Sequence, residues 1–165
     1  MKISELRGAV CGASIADLWM GGWFESADNQ PRFYASLWAY YVEIAGSFLA
    51  IRARKYTGEA TLSFVSEIPR DPDLEDDMTF TTMSIGEMRL RHPESENRIH
   101  RVVLWGASES DEGVECQAAR IELSPREALF FDPSFYFGIR LGGNDDQDEW
   151  IEHSAPWRKE ALVLE

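Results

Sequence analysis

The stretch Arg32 to Ile68, RFYASLWAYYVEIAGSFLAIRARKYTGEATLSFVSEI, decides how the fold is read. Within it Phe33, Leu37, Tyr40, Tyr41 and Ile44 recur at steps of three and four, the spacing of one face of an α-helix, and Trp38 and Ala45 widen that face. Pro31 supplies a start, because its missing N–H costs nothing in a first turn; Asp28 or Asn29 stands in place to cap. Gly46 is free to take the left-handed conformation that closes a helix. The pattern predicts a helix over about 31–45. From Ser47 the period becomes two: Leu49, Ile51 and Ala53 alternate with Arg52 and Arg54, Thr57-Gly58-Glu59 supplies a turn, and Leu62 and Phe64 resume the alternation. That is a hairpin with one face buried and one wet.

Phe33 to Ile51 is also 19 residues with a single charge, Glu43, between flanking arginines. A membrane span is rejected, because Glu43 near the middle is costly in hydrocarbon and the helical period breaks at Gly46. The 165 residues fall near the usual size of one domain and are long enough to bury a substantial core, so a single domain over 1–165 is expected. Glu5 and Arg7 interrupt the opening MKISELRGAV where an export signal needs an unbroken apolar run. Cys11 and Cys116, two and far apart, suit a reducing cytoplasm better than a disulfide framework. Both read as small buried hydrophobes.

The net charge of −13 is unevenly placed. Residues 1–70 hold seven acidic and seven basic groups, so the whole excess lies in 71–165. Three runs concentrate it as expected loops: DPDLEDD at 71–77, ESDEGVE at 109–115 and NDDQDEWIE at 144–152, with 14 of the 29 carboxylates between them. Such a field repels nucleic acid and anionic membrane and favours a basic protein partner.

Along the rest of the chain, Ile3 to Trp19 is open between helix and strand, because Gly8 and Gly12 interrupt its apolar period. Gly21-Gly22-Trp23 resembles the G-x-W signature near the start of lipocalin-like barrels, over three residues; the resemblance implies a barrel-like sheet with a ligand cavity. Thr79–Ile85 and Glu87–Arg91 alternate as strands, and Ile99 to Ala107 is apolar on both faces through Val102, Val103, Leu104 and Trp105, as a central strand covered on both sides must be. Val114 to Leu123 is expected to pair with it as a hairpin, although Val114, Ala118 and Ile121 also suit a helix. Ser124-Pro125-Arg126-Glu127 has the form of a capping box and predicts a short helix to about Phe131. Phe135 to Leu141 reads as a last aromatic strand, and Pro156 to Leu164 as either a short helix or an edge strand. The expected class is α+β: a mostly antiparallel curled sheet, sandwich or barrel of roughly six to eight strands with the 31–45 helix packed on it.

No motif names an activity. Asp71, Asp73 and Glu75 alternate like calcium ligands, but Thr82 stands where an EF-hand needs glutamate, and the 144–155 run fails at Glu149 and Ala155. His92, His100 and His153 match no metal-ligand spacing, and no nucleophile elbow, phosphate loop or dinucleotide fingerprint is present, so no metal and no cofactor is expected. The bases are 13 Arg and three Lys; Arg52 with Arg54, and Arg89 with Arg91, share strand faces and, with His100, form a possible anion or small-molecule site. Three functional classes follow. The first is a non-enzymatic, inhibitor or immunity-type protein that occludes a basic partner, with Asp71, Asp73, Asp76, Asp77, Asp145, Asp146, Asp148 and Glu149 as contact face and Trp150 as anchor. The second is a small-ligand binder with an aromatic cavity, suggested by 20 aromatic residues. The third is an enzyme with a His, Cys and carboxylate site assembled in space.

Overall fold

Four consecutive apolar side chains, Val102 to Trp105, are all buried, which requires a strand covered on both faces. The computed structural model describes residues 1–165 apart from 28–29, 55, 71–73, 75–77, 91–96 and 125–126. It places that strand, β6 (Arg101–Trp105), inside a five-stranded antiparallel sheet ordered β11-β10-β9-β6-β12, where β9 is Ala118–Ser124, β10 Glu127–Asp132, β11 Arg140–Gly142 and β12 Ala161–Leu164. A second, seven-stranded sheet has the order β5-β1-β2-β3-β4-β8-β7. Its strands are β1 (Ile15–Ala27), β2 (Gln30–Ile44), β3 (Ser47–Arg54), β4 (Glu59–Val65), β5 (Thr79–Ser84), β7 (Ser108–Glu109) and β8 (Val114–Cys116). One core fills the space between the sheets, drawing Leu18, Val42, Ile51 and Leu62 from the larger and Leu104, Ile121 and Phe131 from the smaller, with Leu6 and Val10 of helix α1 (Ile3–Val10). On the far side of the smaller sheet Val103, Trp105, Ala118 and Phe130 pack beneath Trp150 of the main helix, α3 (Asn144–Ser154). The class is therefore α+β, sheet on sheet with a helix outside, and neither sheet closes into a barrel.

The segment expected as a helix over 31–45 is β2, paired with β1 on one side and β3 on the other. Its three- and four-residue spacing has a physical origin. Between the pairs Met20–Tyr40 and Gly22–Ala35 the strand β2 advances five residues while β1 advances two, a wide bulge over Ser36–Ala39. Before the bulge Phe33 and Ala35 meet the core, within it Leu37 does, and after it Tyr40, Val42 and Ile44 do. The alternation changes parity, and the step from Leu37 to Tyr40 mimics a helical turn. Tyr41 is buried on the other face and completes the mimicry. Gly46 closes no helix: Ala45 and Gly46, with φ of 51° and 76°, form the two-residue turn between the paired Ile44 and Ser47.

The expected β3–β4 hairpin forms, with Ile51 opposite Leu62 and Leu49 opposite Phe64. The opening segment is both things in turn, helix to Val10 and strand from Ile15. Glu87, Met88 and Arg89, expected in a strand over 87–91, belong to a single helical turn, α2 (Gly86–Arg89), and Arg91 lies outside the described residues. In the segment expected as a helix from Ser124 to Phe131, Ser124 ends β9 and Glu127–Phe131 lie in strand β10, because Leu129 and Phe131 enter one core and Phe130 the other, as a strand covered on both faces requires. Of the expected 135–141 strand only Arg140 and Leu141 are extended, in β11; the tail forms edge strand β12, and the 144–152 acidic run is helix α3 and no loop.

Alanine carries a Cβ that crowds a left-handed backbone, whereas asparagine tolerates it. Ala45→Asn is expected to stabilise the fold by about 0.5–1 kcal/mol and raise Tm by roughly 2–4 °C. Among the described residues other than its two chain neighbours, nothing lies within 4 Å of a Cβ built on Gly46, so Gly46→Ala meets a backbone penalty alone and should lower Tm by a similar amount in the same thermal melt.

Candidate functional site

Helix α3 is amphipathic, and its two sides have different chemistry. Trp150 and Ser154 are buried, with Ile151 partly so; Asp145, Asp148, Glu149 and Glu152 are exposed at positions i, i+3, i+4 and i+7, a single outward stripe. Asp146 caps the start, its carboxylate accepting the Gly143 N–H at 2.8 Å, and the guanidinium of Arg158 closes the end on the Ile151 carbonyl at 2.6 Å. Trp150, expected as an exposed anchor, is only 3 % exposed, its ring 5.3 Å from Trp105, 5.8 Å from Phe130 and 5.8 Å from Trp157. It holds the helix to the sheet and leaves the carboxylates outside.

A second feature adjoins this stripe. After β10 the chain turns through Pro133–Gly138. Asp132, 4 % exposed, accepts the Ser134 N–H at 2.9 Å and its hydroxyl; the Gly138 N–H returns to Phe135 O at 3.1 Å, and the Ile139 N–H reaches Leu37 O, in the β2 bulge, at 2.7 Å. Between these ties stand Phe135, Tyr136 and Phe137, exposed by 40, 84 and 64 %, their rings edge to face at 5.8 and 5.0 Å. A Cβ on Gly58 would lie 3.7 Å from Ser134 Cα, so the β3–β4 turn, with exposed Tyr56, runs alongside. Arg140 joins the two features: its guanidinium meets Asp132 at 3.4 Å and Glu149 of α3 at 3.2 Å.

The other acidic runs divide. Asp71, Asp73, Asp76 and Asp77 lie outside the described residues, as do Arg91 and His92. In the 109–115 run Glu109 accepts the Ile3 N–H at the start of α1 at 2.9 Å and Glu115 pairs with Arg54 at 2.8 Å, so half of its carboxylates serve the fold. Arg52 and Arg54 do share one sheet face and line an open groove of about 710 Å³ with Thr57, Thr61 and Glu112. Arg54 is engaged there by Glu59 at 3.1 Å as well as by Glu115, whereas Arg52 donates to Ser63 Oγ at 3.4 Å. Arg89 sits apart on α2, donating to Leu141 O at 3.4 Å in a groove of about 370 Å³ with Gly142, Gly143 and Asn144. Burial pushes the Tyr40 phenol up, against a smaller opposing pull from Arg89. His100 is exposed before β6 and lines neither groove, and His153 is exposed on α3 with Nδ1 2.8 Å from Glu149 O.

Among the described residues no three His, Cys, Asp or Glu side chains are grouped as a metal site requires, and no helix is long and apolar enough to cross a membrane. Comparison of the chain with models of protein families, with curated proteins and with solved structures finds no match in any of the three. The aromatic loop was missed because Phe135–Leu141 reads as a buried strand; its signal was the pair of turn formers on either side, Asp132-Pro133-Ser134 and Gly138.

Cys116 is fully buried in the core, and that burial, with the field of Glu59 adding to it, pushes its thiol up to about 12 against a smaller lowering by a backbone hydrogen bond at Ala118. At pH 8 almost none of it is thiolate, the reactive form. Iodoacetamide should therefore leave Cys116 unmodified in the native protein and alkylate it fully in urea, as read by intact-mass and peptide mass spectrometry. Rapid native labelling of Cys116 would show that the core opens around it.

Proposed function

We propose that this chain is a non-enzymatic binding protein, of the inhibitor or immunity kind, which docks on a basic partner protein through the outer stripe of α3 and occludes it. The observation that carries the reading is the arrangement of Asp145, Asp148, Glu149 and Glu152 on one helical face. The pairs 145–149, 148–152, 145–148 and 149–152 set like charges at neighbouring helical positions, each of which costs roughly 0.2–0.5 kcal/mol. Glu152 lies in the last turns, where the helix dipole disfavours negative charge. The dipole favours Asp145 in the first turn and Arg140 pairs with Glu149 at 3.2 Å, so the charge that helix stability leaves unexplained is that of Asp148 and Glu152. A partner bearing Lys or Arg would relieve the repulsion and be steered to the face by it.

Two further features support binding over the alternatives. Neither sheet closes into a barrel, so the described residues lend no support to an aromatic cavity of the lipocalin-like kind. The grooves lined by arginine are open surface features, and Arg54 is already neutralised. The two free cysteines suit a reducing compartment, and the cytoplasm is the location this reading takes.

The test is the quadruple variant D145N/D148N/E149Q/E152Q, measured by stopped flow against the partner recovered by affinity capture. Its association rate at low salt should fall by about tenfold or more and lose most of its dependence on ionic strength, while the circular-dichroism spectrum is unchanged. An unchanged rate with an unchanged salt slope would remove α3 from the interface.

A further inference from the structure

We propose that the Phe135–Phe137 loop is the anchor of this interface and that it takes a cationic side chain of the partner, an arginine or lysine laid against the exposed rings. The proposal rests on the basic-partner reading and names the group the partner must supply. Three successive aromatic side chains left outside the core forgo the burial that folding normally rewards, and a contiguous exposed patch of this kind marks a contact site. The loop is also built to hold them there. Asp132 fixes Ser134, Phe135 O receives the Gly138 N–H, and the Ile139 N–H is tied to Leu37 O in the opposite sheet. At Gly138, with φ of 129°, any Cβ would collide with the Leu37 carbonyl oxygen, so the loop needs glycine where it turns back. Edge-to-face packing at 5.8 and 5.0 Å holds the three rings against one another while Tyr136 projects furthest.

The surroundings choose the cation over a neutral apolar partner. Ring faces are electron-rich and attract guanidinium and ammonium groups. Arg140 ties the base of the loop, at Asp132, to Glu149 on the acidic stripe, so one guanidinium links the aromatic loop to the carboxylates of α3. An aromatic centre with a charged rim is the usual anatomy of a protein interface, and aromatic residues dominate its binding energy. The net charge of −13 opposes an anionic membrane as the occupant.

The test uses the full chain, its Y136A/F137A variant, the single Y136A variant and the stripe variant D145N/D148N/E149Q/E152Q. Each is titrated with a fluorescent (Gly-Arg)4 peptide at two salt concentrations, after thermal melts establish that all are folded. The expected result is that Y136A/F137A weakens binding by about tenfold at both salt concentrations with the salt slope retained, that Y136A alone gives part of this loss, and that the stripe variant flattens the slope. If the tip variants bind as the parent does while the stripe variant weakens, the anchor is overturned and the basic-partner reading stands. If the parent binds no peptide, both fall. If the parent binds vesicles of neutral phosphatidylcholine and only that binding is lost in Y136A/F137A, the loop is a lipid anchor and the proposal is overturned.

Discussion

The smaller sheet carries apolar side chains on both faces, and the rest of the molecule follows from the need to cover it twice. Leu104, Ile121 and Phe131 are covered by the seven-stranded sheet; Val103, Trp105 and Phe130 need a second cover, and α3 supplies it through Trp150. Burying a ring the size of tryptophan against three other aromatic rings contributes roughly 2–3 kcal/mol or more. That is enough to hold a helix whose outward face carries mutually repelling carboxylates. The inward side of α3 is committed to the fold, and only the outward side is free to carry charge for another purpose.

The same double burial sets what could be read from the chain. The central strand at Val102–Trp105 and the β3–β4 hairpin were legible because each shows one period: unbroken apolar character in the first, strict alternation in the second. The β2 strand was not, because a four-residue bulge at Ser36–Ala39 switches the alternation from odd to even positions and leaves a three-residue step behind. Ala45 compounded the error, since a left-handed turn normally advertises itself with Asn or Gly at both places. β10 misled in another way: a capping-box pattern precedes a segment buried on both faces, and tertiary burial outweighed the local signal.

For the site, composition revealed the charge and missed its geometry. The 144–152 run reads as a solvated loop because acidic residues crowd it, yet Trp150, Ile151 and Ser154 follow the helical period toward the sheet. Trp150 was noticed for its type and misjudged for its direction. Likewise Glu109 and Glu115 are part of the same charge excess but are used within the fold, one at the start of α1 and one on Arg54. Counting carboxylates cannot separate those two uses; only partners within hydrogen-bond reach do.

The aromatic loop and the acidic helix are held in relation by one side chain. Arg140 stands at the start of β11, next in sequence to Ile139, whose N–H is bonded to the bulge of β2, and its guanidinium meets both Asp132 and Glu149. The irregularity that disguised β2 as a helix therefore fixes where the exposed rings stand. A regular β2 would pair its Leu37 carbonyl within its own sheet and leave none for Ile139, and the Pro133–Gly138 turn would lose its tie to the larger sheet. The bulge is thus a device that places a loop, which is the role such irregularities commonly have beside binding sites.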